Sequence, residues 1–318
     1  MNLRFPNGVA GSRSRWLASA CVLIASASTG CSEAARATEA DAVTEVRTSR
    51  QFATERLDFE VDGLRAMLLK PIHPAPGGAR PWIFVAPVFM GPNPDRPELN
   101  PQLFYHPIAD DTPRRASADP AERGTHQKLF QRLLESGFHI GGIEIGDTMG
   151  NPAGRAHFTA YYRAVVAKYR LDPKPCLFAT SRGGLMAYNW AADHPQWVRC
   201  IGANQPVTDL ALFPGLARAA DVFGVPFETF QRTYRQHNPV DRLAPLAAHG
   251  VSVMHVIGGV DTLLPVENLM DLQQRYRALG GQMQTFVHAE IPHGLWPELL
   301  SDLRFHDFFV AQFGLERK

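Results

Sequence analysis

Cys176-Leu177-Phe178-Ala179-Thr180-Ser181-Arg182-Gly183-Gly184-Leu185-Met186-Ala187-Tyr188-Asn189-Trp190-Ala191-Ala192 reads as a short apolar strand that stops at Ser181, turns sharply, and continues as an amphipathic helix. A turn of this kind presses strand against helix, so small residues are required beside the serine. Ala179, Gly183 and Gly184 supply them, with Ala179 standing where G-x-S-x-G has its first glycine. The helix aims its N-terminus, with its partial positive charge, at the serine, and the Arg182 backbone N–H can stabilise an oxyanion there. An ordinary helix cap is the competing reading of Ser181, and residues further along the chain decide between the two.

Downstream, the strand candidate ending at Val256-Ile257 runs into Gly258-Gly259-Val260-Asp261-Thr262-Leu263-Leu264-Pro265, which puts a carboxylate on a turn at a strand C-terminus. The last strand candidate is followed by Ile291-Pro292-His293-Gly294. Serine, then aspartate, then histidine, each just beyond a strand, is the chain order of α/β-hydrolases and differs from that of other serine-triad folds. The chemistry needs all three residue types. A hydroxyl is a poor nucleophile until a base takes its proton, and the imidazole needs a carboxylate to fix its tautomer and stabilise its charge. Ser181, His293 and Asp261 are therefore the expected catalytic residues, with Asp209 as the reserve acid.

Upstream, short apolar runs alternate with amphipathic stretches from Leu57 onward, the pattern of a mostly parallel sheet covered by helices on both faces. Eight strands are expected: Leu57 to Glu60, Ala66 to Lys70, Trp82 to Pro87, His139 to Ile145, Cys176 to Thr180, Cys200 to Ala203, Ser252 to Ile257 and Gln284 to Ala289. One helix is expected from Leu263-Leu264-Pro265 to Gly280-Gly281 and a last one from Leu299 to Phe313. Two segments exceed ordinary loop length. Residues 89–124 carry seven prolines, and residues 207–250 separate two strands by more than one crossover helix needs. Both are expected to wall or cap the site, since loops after strand C-termini surround it in such sheets. Phe213, Phe223, Phe227, Phe230 and Tyr234 are expected to pack the small helical cap.

The second oxyanion donor is expected in the turn after Trp82 to Pro87. Pro87 has no N–H, so Val88 or Phe89 must donate, and Phe89 is also expected to line the substrate. Arg182 has two functional readings, assisting the oxyanion or gripping a substrate carboxylate, beside the plainer one of a solvated arginine starting a helix. Asp147, in Gly146-Asp147-Thr148-Met149-Gly150, reads as a solvated turn residue at the pocket rim.

With 318 residues and 45% hydrophobic content, the chain can bury one large core, so a single catalytic domain over residues 51–318 is expected. Its 32 basic and 31 acidic side chains nearly cancel and form no basic stripe, which argues against nucleic-acid binding. Residues 1–30 read as an export signal, with Arg4, Arg13 and Arg15 ahead of an apolar run from Trp16 to Ala27 too short for a permanent anchor. Two processing outcomes compete. Ala25-Ser26-Ala27 resembles a signal-peptidase site, whereas Ser28-Thr29-Gly30-Cys31 resembles a lipobox that would attach the protein to a membrane through a lipidated Cys31. Residues 31–50 read as a disordered tether. Of the four cysteines, Cys176 and Cys200 fall in neighbouring strands and are expected to be buried free thiols, with a disulfide the alternative. No cysteine and histidine spacing suits a metal, and no metal or organic cofactor is expected.

From Ser181-Arg182-Gly183-Gly184-Leu185 through Tyr188-Asn189-Trp190-Ala191-Ala192, the sequence resembles a bacterial family of α/β-hydrolases with the motif S-R-G-G-L-x-x-Y-N-W-A. The likeness extends through Asn238-Pro239-Val240-Asp241 and Gly259-Val260-Asp261-Thr262-Leu263-Leu264-Pro265-Val266-Glu267-Asn268 to His293. It implies an esterase, some members looking active near plant polysaccharides. The Ser181-Arg182 pair is also similar to that of glucuronoyl esterases, which implies oxyanion assistance by Arg182. The main expectation is an exported serine esterase, periplasmic, outer-membrane-anchored or secreted, with carbohydrate acyl or methyl esters as the favoured class. A prolyl-oligopeptidase-like peptidase and a non-catalytic binding protein on the same fold are the alternatives.

Overall fold

In the computed structural model, which describes residues 38–39, 41–88, 125–294 and 302–315, alternating apolar runs assemble into one nine-stranded sheet. Its strands are β1 (Thr44–Gln51), β2 (Thr54–Val61), β3 (Leu64–Leu69), β4 (Trp82–Ala86), β5 (His139–Ile143), β6 (Cys176–Thr180), β7 (Cys200–Asn204), β8 (Ser252–Gly258) and β9 (Met283–His288). They lie in the order β1-β2-β3-β5-β4-β6-β7-β8-β9. The first three strands form an antiparallel meander that joins β5 antiparallel, and the six strands from β5 to β9 run parallel.

All eight expected strands form, and the count of eight is corrected to nine by β1. Residues 44–50, expected to belong to a disordered tether, pair along β2 instead. The segment is too polar to bury much, which is why composition marks it as a tether. An edge strand needs only backbone partners on one side, and β2 supplies them.

The inner parallel strands β4 to β7 are buried on both faces, as strands sandwiched by helices must be, while the edge strand β9 is partly exposed. Helices α1 (Thr125–Glu135) and α8 (Leu303–Gln312) cover one face. The other is covered by α2 (Pro152–Tyr169), α3 (Gly183–Asp193), α6 (Ala244–Ala248) and α7 (Val266–Ala278). On that face the Phe84 ring lies 4.9 Å from Phe158, 5.1 Å from Tyr161 and 5.4 Å from Trp190. On the first face Phe178 meets Phe130 at 5.6 Å and Phe305 at 5.5 Å, edge to face. Each such ring contributes about 1.5–3 kcal/mol by burial, which fixes the neighbouring strands β4 and β6 to the helices on opposite faces.

Within residues 207–250, α4 (Leu216–Phe223) and α5 (Phe227–Thr233) form the helical cap. Ala219, Ala220 and Phe230 pack there with Leu185 of α3 and with Met149, Val207, Ile257 and Leu264 at or beyond the strand C-termini, and Phe213, Phe223 and Tyr234 join them partly buried. Phe227 departs from expectation, standing 41% exposed because it opens α5 on the outer side of that contact. The segment 89–124, with Phe89, and the expected signal and lipobox through Cys31 lie outside the described residues. The last helix starts at Leu303 rather than Leu299, with residues 295–301 also outside them.

Cys176 and Cys200 form a disulfide, correcting the expectation of free thiols. The two are register partners on adjacent parallel strands, with Cα atoms 4.5 Å apart, inside the range a disulfide can span. Neighbouring strands were legible from composition, but their register was not.

Candidate active site

β6 ends at Thr180, and the backbone at Ser181 turns into the left-handed region with φ +48°. A non-glycine residue held there costs about 1–3 kcal/mol and persists only when its surroundings over-determine it. Three hydrogen bonds do so. The Ser181 N–H donates to Asn204 O at 3.1 Å, and the Ser181 carbonyl accepts from the N–H groups of Gly184 at 2.9 Å and Val207 at 2.8 Å. A Cβ at position 183 would lie 2.0 Å from Ala86 O, and one at 184 would lie 2.4 Å from Val207 O. The paired glycines are thus dictated by the closeness of β4 and the loop after β7.

This elbow raises the Ser181 side chain above the parallel strands, where β4 and β6 diverge in their connections and α/β sheets open a crevice. Ser181 Oγ lies 3.0 Å from His293 Nε2, and His293 Nδ1 lies 2.7 Å from Asp261 Oδ2. The remaining oxygen, Oδ1 of Asp261, accepts from the N–H groups of Leu263 at 2.9 Å and Leu264 at 2.8 Å. The Asp261 side chain is almost fully buried, while His293 keeps 22% of its surface. A carboxylate bonded at three points and withdrawn from water can fix an imidazole tautomer, and the imidazole can take a proton from the hydroxyl.

The structure brings Ser181, His293 and Asp261 together in one chain of hydrogen bonds. Asp209, the reserve acid, is not part of it: its Oδ1 accepts from Asn238 Nδ2 at 3.1 Å and from the Ala211 N–H at 2.9 Å. Val88 is buried just after the turn at Pro87, and among the described residues its N–H donates to no backbone carbonyl. Phe89 lies outside the described residues.

The expectation of a solvated Asp147 and the solvated alternative for Arg182 are both corrected. Neither is a solvated surface residue. Their side chains are 19% and 14% exposed, and Arg182 Nη1 donates to Asp147 Oδ2 in an ion pair. Burial lowers the Arg182 pKa, and the Asp147 charge opposes that effect. The β5 turn and the start of α3 approach closely enough for this pair because Gly150 packs on the Leu185 carbonyl, where a Cβ would lie 2.4 Å from it.

Gln205 is a site residue that the sequence did not disclose. It is buried just past β7, and its side-chain amide bonds to both peptide groups flanking His293. A glutamine after an apolar run carries no motif, and only the fold brings it to the histidine loop. Among the described residues no group of histidine, cysteine, aspartate or glutamate could hold a metal ion, and no helix is long and apolar enough to cross a membrane.

Sheet order, covering helices and the serine-bearing elbow define the α/β-hydrolase fold. Solved structures of that fold are similar to this chain, although no protein-family model and no curated protein matches its sequence. A puromycin hydrolase superposes with TM-score 0.55 at 16% identity, over 86% of this chain and 40% of its own. The acylaminoacyl peptidase of Pyrococcus horikoshii gives 0.54 at 13% identity, over 87% and 42%. The dipeptidyl peptidase 4 of Porphyromonas gingivalis gives 0.54 at 14% identity, over 86% and 36%. The chain therefore spans about two-fifths of the length of these structures.

Proposed function

We propose that the protein is a serine hydrolase that cleaves an acyl bond through a covalent intermediate on Ser181. The observation that carries this is the unbroken path from Ser181 Oγ through His293 to a buried Asp261. In the first half-reaction, Oγ bonds to the substrate carbonyl carbon as its proton passes to His293 Nε2. The leaving nitrogen or oxygen then departs with that proton, and Ser181 holds the acyl group. In the second, water attacks the acyl carbon with His293 again taking the proton, and Ser181 is regenerated. The developing oxyanion faces the Arg182 backbone N–H at the start of α3 and the N–H of Val88.

Cleavage of an amide, as by a peptidase, is the substrate reading that the fold neighbours favour, since those compared are named as peptidases or as a puromycin hydrolase. Cleavage of a carboxylic ester, with carbohydrate esters foremost, is the second reading. It is supported by the Ser181-Arg182 pair, whose guanidinium is held by Asp147 next to the nucleophile. A buried disulfide is the pattern of proteins made for an oxidising compartment, which supports export. Release after signal-peptidase cleavage and attachment through a lipidated Cys31 are the two outcomes of that export.

A fluorophosphonate probe tests the reaction class. Heat-sensitive labelling of wild type and none of Ser181→Ala is expected, and an unlabelled native protein would leave a binding protein on a hydrolase fold. Peptidases also cleave activated esters, so the substrate class is decided by amides. Ser181-dependent turnover of aminoacyl and peptidyl anilides supports the peptidase reading. Turnover confined to acetylated sugars, methyl uronates or simple acyl esters supports the esterase.

A further inference from the structure

Asn204, which ends β7, and Gln205, which follows it, hold the backbone at the two reacting residues of the site. Asn204 O receives the N–H of Ser181 at 3.1 Å. Gln205, next in the chain, holds the loop that carries His293. Gln205 Nε2 donates to Pro292 O at 2.8 Å, and its Oε1 accepts the Gly294 N–H at 2.8 Å. These are the peptide groups immediately before and after the histidine. A carbonyl can only accept and an N–H can only donate, so the orientation of the amide is fixed by its partners.

The rest of the environment leaves that amide little freedom. Gln205 is 1% exposed, its backbone N–H donates to Val256 O at 3.0 Å, and its φ of +42° lies in the left-handed region. A Cβ at Gly258 would lie 2.7 Å from Gln205 Nε2 and 2.1 Å from Ile291 O, so β8 closes over the contact. The far side of the histidine loop is tied down by Val260 N–H to Ile291 O at 3.2 Å and Gly259 N–H to His288 O at 2.7 Å.

We infer that Gln205 is the positioning residue that sets His293 against Ser181. This rests on the hydrolase reading and adds how the site keeps its alignment. Nucleophile and base come from strands far apart in sequence, and Asn204 and Gln205 refer both to one point of the sheet. Misplacing a catalytic group by about 1 Å can cost about a hundredfold in rate, so two hydrogen bonds here control reactivity rather than binding.

Two variants test this by the kinetics of fluorophosphonate labelling. Gln205→Leu retains bulk and removes both bonds. The maximal labelling rate is expected to fall by about 10- to 100-fold with the half-saturating probe concentration unchanged. Gln205→Glu supplies the signature that a merely structural residue would not give. A protonated carboxyl can donate to Pro292 O and accept from Gly294, whereas the ionised form cannot donate and faces a carbonyl oxygen. Burial raises a carboxyl pKa, so labelling of Gln205→Glu should fall reversibly as pH rises through and above neutrality, a limb absent from wild type. A Gln205→Glu profile parallel to that of wild type overturns the assignment, even where Gln205→Leu fails to fold. Absence of labelling in wild type itself would overturn the hydrolase reading, and the assignment with it.

Discussion

Asp261 Oδ2 lies 2.7 Å from Nδ1 of His293, while its other oxygen is held by two backbone N–H groups. Asp209, on the turn after the preceding strand, bonds instead to Asn238 and the Ala211 N–H. Asp261→Asn should therefore lower kcat/KM by about 10³- to 10⁴-fold, because the amide favours the wrong imidazole tautomer. Asp209→Asn should leave it within about threefold of wild type. Steady-state kinetics of both on one substrate decide which carboxylate serves.

Arg182 begins α3 with its guanidinium paired to Asp147. Because Asp147 already answers that charge, Arg182 is poorly placed to clamp a substrate carboxylate. Arg182→Met should lower turnover on neutral and acidic substrates alike with little change in KM. A rise in KM confined to acidic substrates would instead assign Arg182 to recognition. Asp147→Asn should cost about 1–3 kcal/mol in urea unfolding, since it removes the charge that offsets the burial of the Arg182 guanidinium.

The bond between Cys176 and Cys200 closes a loop of sequence separation 24, for which the chain-entropy model gives about 3 kcal/mol. Urea unfolding of wild type with and without reductant, beside the Cys176→Ser and Cys200→Ser double variant, measures this. A reductant effect should be seen in wild type and vanish in the variant. Equal midpoints in all samples would show that the bond contributes nothing.

His255, under α3, shares a 2.7 Å hydrogen bond between its Nε2 and the Tyr188 hydroxyl, and burial pushes its pKa down from 6.5 to about 3. His139 is pushed down to about 4, again mainly by burial. Both are neutral in the folded protein where the unfolded chain would be protonated. Their stabilising contribution is full above pH 6.5 and is lost as the pH falls from there towards 4 and 3. The loss should reach the order of a few kcal/mol. His255→Gln, whose amide can also hydrogen-bond Tyr188, should flatten the decline below pH 6.5 in thermal unfolding followed across pH. An unchanged slope would exclude His255 as its source.

Ser181, Asp261 and His293 were legible because each occupies a turn beyond an apolar run, and the strand periodicity made those turns visible. The polar β1 was hidden for the converse reason, since backbone pairing leaves no trace in composition. The Cys176 to Cys200 bond required the register of two strands, which local pattern does not encode. Asp147 and Gln205 act through partners 35 and 87 or more residues away, so their roles exist only once the sheet has brought those partners near.

The positive φ of Ser181 means that the native state carries local backbone strain at this position. Glycine adopts that conformation without steric cost, so Ser181→Gly should be more stable than both wild type and Ser181→Ala by about 1 kcal/mol, read as a higher urea midpoint. Thermal endurance and the proposed nucleophile thus make opposite demands on position 181, the first favouring glycine and the second a hydroxyl.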